Sequence, residues 1–341
     1  MAPSAEQILK AVEADLPEEA IGREALEDCS SVASRLPSGV RSYYLECRLD
    51  DDPQVDFLVQ FTDRLQACRD LQAVLPASPS RSWEQNVSLF RRWSDDATPL
   101  REVPFLWLEY DIDADFDSVI PEASPSIGVE RGYFSRYRER PDSDNAGALR
   151  RASAGLAALA SPAPSDVLQA TVDRCVRALP ARGALIYVSW MITRTPSCLK
   201  LYLALPKTEV LAYLARIGWR GDEERVRRVI ETQYGPVQET AFIDVSVDDR
   251  VLSRVGFALS QLHRREMERF TEQWACVDVP PECTRKMAAV RRWPGIAEMR
   301  LDGQRSWLHR WLDLKFILEE NGRLRPKAYL GFMPRPPLPF A

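Results

Sequence analysis

The clearest pattern in the chain is a strand-like alternation of apolar and polar residues between Leu199 and Leu205. In an extended strand, the leucines of this stretch point to one side, while Lys200 and Tyr202 point to the other. A Lys-Ala-Tyr stretch at residues 327–329 repeats the polar half of the pattern near the C-terminus. These two stretches predict strands that each bury one face and present a cation and a phenol on the opposite face.

Other segments with a period of two complete a set of ten predicted strands. The strands come in pairs that are joined by short turns, which is typical of antiparallel hairpins. The predicted strands cover residues 41–49, 55–62, 104–113, 126–133, 183–193, 197–205, 239–247, 251–260, 308–318 and 324–332.

Two helical segments precede each predicted strand pair, so the order helix-helix-strand-strand recurs about five times. The predicted helices cover residues 5–20, 23–36, 63–75, 82–93, 146–159, 164–179, 208–217, 222–234, 263–276 and 280–292. A repeated unit of this kind indicates one architecture and not five domains. The predicted fold class is α+β: a ten-stranded antiparallel β-barrel of repeated αββα units, with the helices on the outside. We expect a single domain over residues 1–333 and a proline-rich tail, unsuited to a sheet, over residues 334–341.

The polar strand faces must point into the barrel, because the apolar faces are needed against the helices. Buried charges without partners cost several kcal/mol each, roughly, so the interior is expected to be a wet chamber of ligand size. The predicted inward set is Tyr44, Glu46, Arg48, Gln60, Trp107, Glu109, Asp111, Lys200, Tyr202, Asp244, Ser246, Arg254, Trp311, Asp313, Lys315, Arg325, Lys327 and Tyr329.

Composition narrows the possible partners and compartments. The net charge of -5 over 341 residues argues against nucleic-acid binding. We see no signal peptide, and no apolar run reaches the ~18 residues that a membrane helix needs. Seven cysteines without a CxxC pair indicate reduced, mostly buried thiols in a cytoplasmic protein, and two histidines make a zinc site improbable. We therefore predict a cytoplasmic protein with no metal ligands and no nucleic-acid or membrane partner.

The repeated αββα units and the Lys-x-Tyr strand faces resemble the ABBA-type prenyltransferases, in particular the dimethylallyltryptophan synthases and the ribosomal-peptide prenyltransferases. The resemblance is architectural over residues 23–332. At motif level, residues 200–202 match the family's Lys-Leu-Tyr strand, whose Lys and Tyr contact the diphosphate, and residues 327–329 match its tyrosine-bearing last strand. The family's Arg-x-Lys-x-Tyr strand corresponds to residues 254–258, which keep the Arg but lack the Lys and the Tyr. Residues 98–100, followed by Glu109, are loosely similar to the segment in which a Glu binds the acceptor's ring nitrogen, although the register differs.

The inferred inward face also has the residue types that allylic transfer requires. Arg and Lys hold a leaving diphosphate, aromatic faces attract an allylic cation, and a carboxylate accepts the acceptor's proton. We predict Glu109 and Asp111 as catalytic carboxylates, and Tyr44, Trp107 and Trp311 as the acceptor and carbocation shield. The predicted diphosphate-binding residues are Lys200, Tyr202, Arg254, Lys315, Arg325, Lys327 and Tyr329.

The predicted function is transfer of a dimethylallyl or longer group from an allylic diphosphate donor to an aromatic or guanidine-bearing acceptor, with peptide side chains among the candidates. No cofactor is required, and assistance by Mg²⁺ is left open. The alternative is a non-catalytic barrel that binds a small anionic ligand or a peptide in a biosynthetic pathway. A third possibility is a metal-dependent terpene cyclase, which would be mostly helical. The acidic residues 51–56 faintly resemble the Asp-rich metal motif of such enzymes, but they lie on a predicted turn and not on a helix. Asp313 has a structural alternative, an ion pair with Lys315 or Arg325.

Overall fold

The computed structural model describes residues 3–36, 39–73, 80–112, 122–129, 145–159, 165–194, 197–234, 239–262, 281–301 and 304–335. These residues contain a sheet of eleven strands, numbered in chain order. The strands are β1 (Val40–Arg48), β2 (Val55–Phe61), β3 (Phe105–Tyr110), β4 (Ala123–Gly128), β5 (Ala184–Trp190), β6 (Leu199–Pro206), β7 (Thr240–Val247), β8 (Val251–Leu262), β9 (Gly295–Leu301), β10 (Gln304–Leu318) and β11 (Leu324–Arg335).

Ten of these strands close into an antiparallel barrel. Strands β1 to β8 pair in chain order, and β8 pairs with the second half of β10. Strand β10 then pairs with β11, and β11 returns to β1, where Glu46 lies opposite Tyr329. The predicted ten-stranded antiparallel barrel with external helices is therefore confirmed.

Strand β9 lies outside the closed ring and was missed by the sequence analysis. It pairs with the first half of β10, where Leu301 lies opposite Gln304, so β10 also begins before the predicted residue 308. In β9, Met299 is buried, whereas Ile296 on the other face is 70% exposed. An apolar residue on the solvent side blurs the alternation between buried and exposed positions, which is why this segment did not show a clear period of two.

Several predicted boundaries also need correction, and the largest is that of the first helix, which was predicted over residues 5–20 and ends at Val12. Strand β4 begins at Ala123, three residues before the predicted start at 126, and residues 130–133 of that prediction lie outside the described residues. Strand β11 continues to Arg335, so the first two residues of the predicted tail are strand residues. Beyond Phe332, β11 pairs only with β10, and a proline is tolerated on such a one-sided edge. The single-domain assignment stays a prediction.

The helices precede the strand pairs in the predicted order throughout the first four units. A fifth unit has one described helix before β9 to β11, since the predicted helix at 263–276 lies outside the described residues. The helices are α1 (Ala5–Val12), α2 (Arg23–Ala33), α3 (Arg64–Ala73), α4 (Arg81–Ser94), α5 (Asn145–Leu159), α6 (Asp166–Arg177), α7 (Val210–Arg216), α8 (Glu223–Val229) and α9 (Pro281–Val290).

The outward strand faces and the inner helix faces form the main hydrophobic core. The leucines of β6, from Leu199 to Leu205, are at most 1% exposed and belong to this core. Two polar tips inside the core have backbone partners: the Tyr213 hydroxyl donates to the Cys175 carbonyl at 3.1 Å, and the Trp93 indole donates to the Val103 carbonyl at 2.9 Å. Because the core takes the apolar faces, the polar faces turn into the barrel, as predicted.

The helices and the cysteines of the described residues bear on the compartment of the protein. No helix among them combines the length and the apolar character that crossing a membrane requires. The six described cysteines carry free thiols, and all of them except Cys198 are buried. The cytoplasmic location stays a prediction.

Candidate functional site

The inward strand faces surround one chamber inside the barrel. Its empty space, counted together with its opening, is about 870 Å³. Each of the ten strands of the closed ring contributes at least one lining residue. The lining consists of Tyr44, Leu58, Phe105, Trp107, Glu109, Ser126, Tyr187, Ser189, Lys200, Tyr202, Asp244, Ala258, Asp313, Leu314, Lys315 and Tyr329.

Two glycines make room for large side chains at the chamber wall. A Cβ atom on Gly331 would lie 2.2 Å from the Trp311 ring and 2.6 Å from the Tyr44 ring. A Cβ atom on Gly256 would lie 2.7 Å from both the Asp244 carboxylate and the Lys315 stem. The departure of residues 254–258 from the family pattern thus has a physical consequence: the space near Gly256 is taken by an ion pair from neighbouring strands.

The first aromatic wall is built around Tyr44. Its ring centroid lies 5.3 Å from that of Trp107, 5.4 Å from Trp311 and 6.0 Å from Tyr329. The Trp311 indole donates to the Tyr44 hydroxyl at 2.7 Å, and this hydroxyl donates to the Asp313 carboxylate at 2.7 Å. The three predicted shield residues are therefore neighbours, and Asp313 accepts a hydrogen bond from one of them. The two cations of its structural alternative pair with other carboxylates, Lys315 with Asp244 and Arg325 with Asp50 and Asp52.

The second aromatic wall consists of Tyr187, Tyr202 and Phe242. The Tyr187 and Tyr202 rings stack with centroids 4.3 Å apart and an angle of 8° between their planes, and Phe242 lies 6.1 Å from Tyr202. Tyr202 was predicted from the sequence as a site residue, but Tyr187 and Phe242 were not. A register shift between Leu185 and Tyr187 breaks the alternation in β5, so a period of two could not assign Tyr187 to the inward face.

The two predicted catalytic carboxylates share one arginine that the sequence analysis missed. Arg194 follows β5 and donates to Glu109 at 2.5 Å and to both oxygens of Asp111, at 2.5 Å and 3.0 Å. The Thr193 hydroxyl also donates to Asp111 at 2.6 Å. Burial raises the pKa of Asp111, but the hydrogen bonds and charge of Arg194 outweigh it and hold that pKa below its ordinary value. Glu109 lines the chamber, whereas Asp111 is not among the lining residues.

A second charged group, which we call the Glu46 cluster, contains Glu46, Arg48, Asp56, Lys327 and Tyr329. Arg48 donates to Glu46 at 2.7 Å and to Asp56 at 2.6 Å, and Lys327 donates to Glu46 at 2.5 Å. Burial raises the pKa of Glu46, yet Lys327 and Arg48 hold it well below its ordinary value. Burial and the charge of Glu46 raise the pKa of Asp56 to about 7, and burial together with Glu46 raises the pKa of the Tyr329 hydroxyl.

Three buried carboxylates in this region, those of Glu46, Asp56 and Glu109, come within 4.8 Å of one another. Carboxylates are the ligands that Mg²⁺ prefers. Each of the three, however, already accepts a hydrogen bond from an arginine, Arg48 or Arg194. A divalent cation would have to approach these guanidinium groups, so the described residues do not fit a metal centre here.

Lys200 and Lys315 are the two predicted diphosphate lysines that line the chamber. Lys315 forms an ion pair with Asp244, and the Lys315 charge helps to lower the pKa of Asp244 against the opposing effect of burial. Within the described part of the chain, Lys200 forms no side-chain hydrogen bond and has no carboxylate within 4.0 Å. Burial, followed by the charges of Arg194 and Lys315, lowers the pKa of Lys200 to about 7.

The other predicted diphosphate cations are not brought to the chamber wall. Lys327 is part of the Glu46 cluster. Arg254 pairs with Glu319 at 3.4 Å near one end of the barrel. Arg325 pairs at the same end with Asp50 at 3.2 Å and Asp52 at 3.0 Å, on the turn between β1 and β2.

The structure thus brings seven of the predicted site residues to one chamber and leaves five outside its lining. The seven are Tyr44, Trp107, Glu109, Lys200, Tyr202, Lys315 and Tyr329. The five are Asp111, Arg254, Trp311, Arg325 and Lys327, of which Trp311 contacts the lining through Tyr44. Their functional roles stay predictions.

Comparison with known proteins supports the same architecture. No family model matches the sequence, and no curated protein matches it. Nineteen chains of solved structures match the fold, among them AnaPT from Neosartorya fischeri. That match has a TM-score of 0.50 and 9% sequence identity, and it covers 90% of this chain and 84% of AnaPT.

At this identity, the match concerns the fold. A closed ten-stranded antiparallel barrel inside a layer of helices defines the PT barrel, the architecture of the ABBA prenyltransferases, and this chain has that architecture. It is similar to AnaPT in overall structure.

Proposed function

We propose that this protein transfers an allylic group from a diphosphate donor to an aromatic or guanidine-bearing acceptor, with peptide side chains among the candidates. One observation carries the proposal. Lys200, Lys315 and Glu109 line a single chamber together with Tyr44 of the first aromatic wall and Tyr187 and Tyr202 of the second. Cations, aromatic faces and a carboxylate are the three groups that this chemistry needs.

The donor end of the chamber is the part around Lys200 and Lys315. When the allylic carbon–oxygen bond breaks, its electron pair leaves with the diphosphate, and the ammonium groups stabilise the added negative charge. Lys200 is the better placed of the two, because Lys315 is already paired with Asp244. The Tyr202 ring lies two residues along the same strand and belongs to the second aromatic wall.

The allylic carbon then becomes electron-poor, and the aromatic walls face it. Tyrosine and tryptophan rings attract a cation over their faces, and they keep water away from it. The acceptor atom forms the new bond to the allylic carbon and loses a proton, which Glu109 accepts. One oxygen of Glu109 is bonded to Arg194; in the described part of the protein, its other oxygen, Oε2, accepts no hydrogen bond.

A second candidate function is a barrel that binds a small ligand or peptide without catalysis. It is favoured by the charge balance of the interior, where Arg48, Arg194, Lys315 and Lys327 each contact a carboxylate. A cation that is already paired binds an incoming anion less strongly, because the existing pair must first be broken.

Product analysis separates the two functions. The protein is incubated with dimethylallyl, geranyl or farnesyl diphosphate and with peptides that contain Trp, Tyr or Arg, and the peptides are analysed by mass spectrometry. The proposed transfer predicts a peptide heavier by one prenyl group, together with one released pyrophosphate per product. Saturable binding of a donor or peptide without any heavier product would favour the binding barrel and contradict the proposed transfer.

A further inference from the structure

Arg194 pairs with both predicted catalytic carboxylates, and its charge also acts on Lys200. It lies in the connection from β5 to β6, and its guanidinium makes three hydrogen bonds, two to Asp111 and one to Glu109. Its side chain is 26% exposed. Arginine presents several donors in a planar fork, so one side chain can satisfy two carboxylates at once.

Among the residues that the structure describes, none pairs with the Lys200 ammonium. Its cross-strand neighbours are Ser189 on β5 and Ser246 on β7, which carry no charge. Two carboxylates act on it electrostatically, Glu109 from β3 and Asp244 from β7, and both already have a cation partner. The cations that act on it are Arg194 and Lys315.

Removal of the Arg194 charge would leave Glu109 and Asp111 as two carboxylates, mostly buried, without their cation. Such carboxylates are stabilised by an ammonium group that has no other carboxylate partner. Glu109 shares the chamber wall with Lys200 and Lys315. Lys315 is held by Asp244, so Lys200, whose charge already interacts with Glu109, is the lysine open to it. An ammonium paired with Glu109 would bind an external anion only after that pair is broken.

We propose that Arg194 is a positioning residue that holds Glu109 away from Lys200 and so keeps the Lys200 ammonium available to a diphosphate. The inference rests on the proposed function, because it assumes that the anion bound in the chamber is a diphosphate. It assigns Arg194 no direct contact with that anion; its effect is exerted through Glu109.

The test uses inorganic pyrophosphate, titrated calorimetrically into the full-length protein and its variants. Arg194→Gln should weaken binding about tenfold or more, which is the scale of a hydrogen bond to a charged group. The double variant Arg194→Gln/Glu109→Gln should recover to within about threefold of the wild type, because the competing carboxylate is gone. Arg64→Gln, which removes an exposed ion pair with Asp96, is the matched control and should bind like the wild type.

A double variant that binds as weakly as Arg194→Gln alone would overturn the inference, because Arg194 would then contact the anion directly. Unchanged affinity in Arg194→Gln would overturn it as well. If the wild type binds no pyrophosphate, the proposed function fails, and a ligand-free measurement still tests the positioning role.

That second measurement is the rate at which Lys200 is acetylated by acetic anhydride near neutral pH, followed by peptide mapping. A neutral, unpaired amine reacts, whereas an ammonium paired with a carboxylate is protected. The rate should fall in Arg194→Gln and recover in the double variant and in Arg194→Lys, which retains a cation. Equal rates in all variants would show that Arg194 does not control Lys200.

Discussion

The two Lys-x-Tyr strands begin from the same sequence pattern and end in different environments. Lys327 and Tyr329 both bond to Glu46 inside a buried cluster. Lys200 faces the chamber without a carboxylate partner among the described residues, and Tyr202 stacks in an aromatic wall. Lys327 therefore serves the interior of the protein, whereas Lys200 and Tyr202 line the space where a ligand would bind. Tyr329 also lines that space, but its hydroxyl bonds to Glu46.

The difference comes from the neighbouring strands. On β1, Arg48 lies opposite Lys327 and Glu46 lies opposite Tyr329, so β1 supplies the charges that complete a cluster. The strands on either side of Lys200 offer Ser189 and Ser246. A strand pattern alone predicts which face a lysine takes, but its cross-strand partners decide whether it is paired.

The largest expected effect is on the free energy of unfolding, which should differ between variants of the two lysines. Lys327→Met leaves Glu46 buried with one cation fewer, and breaking a buried ion pair costs about 3–5 kcal/mol. Lys200→Met removes a half-buried charge that has no carboxylate partner among the described residues, so the free energy of unfolding should stay the same or rise. Urea unfolding of both variants measures this, and equal losses in the two would contradict the comparison.

The next largest effect is expected on the rate of product formation when one of the two predicted catalytic carboxylates is replaced. Glu109→Gln keeps the shape of the chamber but cannot accept a proton, so product formation should fall by about 10²-fold or more, the usual scale for loss of a general base. Donor affinity should change little, because the lysines are retained. The matched control is Glu298→Gln, whose carboxylate pairs with Arg305 at 2.7 Å on the surface and should leave the rate unchanged. Full activity in Glu109→Gln, with loss in Asp111→Asn, would assign the base to Asp111.

The pH dependence of anion binding sharpens the contrast further. An anion prefers the protonated form of Lys200, and the pKa of this lysine is lowered to about 7, so its protonated fraction falls about tenfold for each pH unit above that value. The pyrophosphate affinity of the wild type should therefore decline from pH 7 to pH 9 relative to that of Lys200→Arg, which stays charged. Parallel profiles for the two proteins would show that Lys200 does not titrate in this range.

The smallest effect is expected at Arg254, which was predicted from the sequence to bind the diphosphate. Its pair with Glu319 is partly exposed, and such pairs contribute about 0–1 kcal/mol to stability. Arg254→Gln should therefore unfold within ~1 kcal/mol of the wild type and bind pyrophosphate with nearly the same affinity. A large loss of affinity would instead place Arg254 at the anion.

The fold could be predicted from the sequence, because every hairpin of the barrel needs one apolar face against the helices. The same alternation of apolar and polar residues therefore recurs in every hairpin. The inward position of Tyr44, Trp107 and Lys200 could be predicted for that reason. Arg194 could not, since it lies in a connection where no periodicity applies. Tyr187 was hidden by the register shift in β5, and the exposed Ile296 obscured β9. The pairing of Lys327 depends on a strand about 280 residues earlier in the chain, which only the three-dimensional structure reveals.

The most direct test of the account is calorimetric titration of dimethylallyl diphosphate into the wild type, Lys200→Met and Lys327→Met. We predict saturable binding at one site in the wild type, and affinity lower by about 1.5–3 kcal/mol in Lys200→Met, the range for a hydrogen bond to a charged group. The folded fraction of Lys327→Met should bind with the affinity of the wild type. The account is contradicted if the wild type shows no binding, or if Lys200→Met binds as tightly as the wild type.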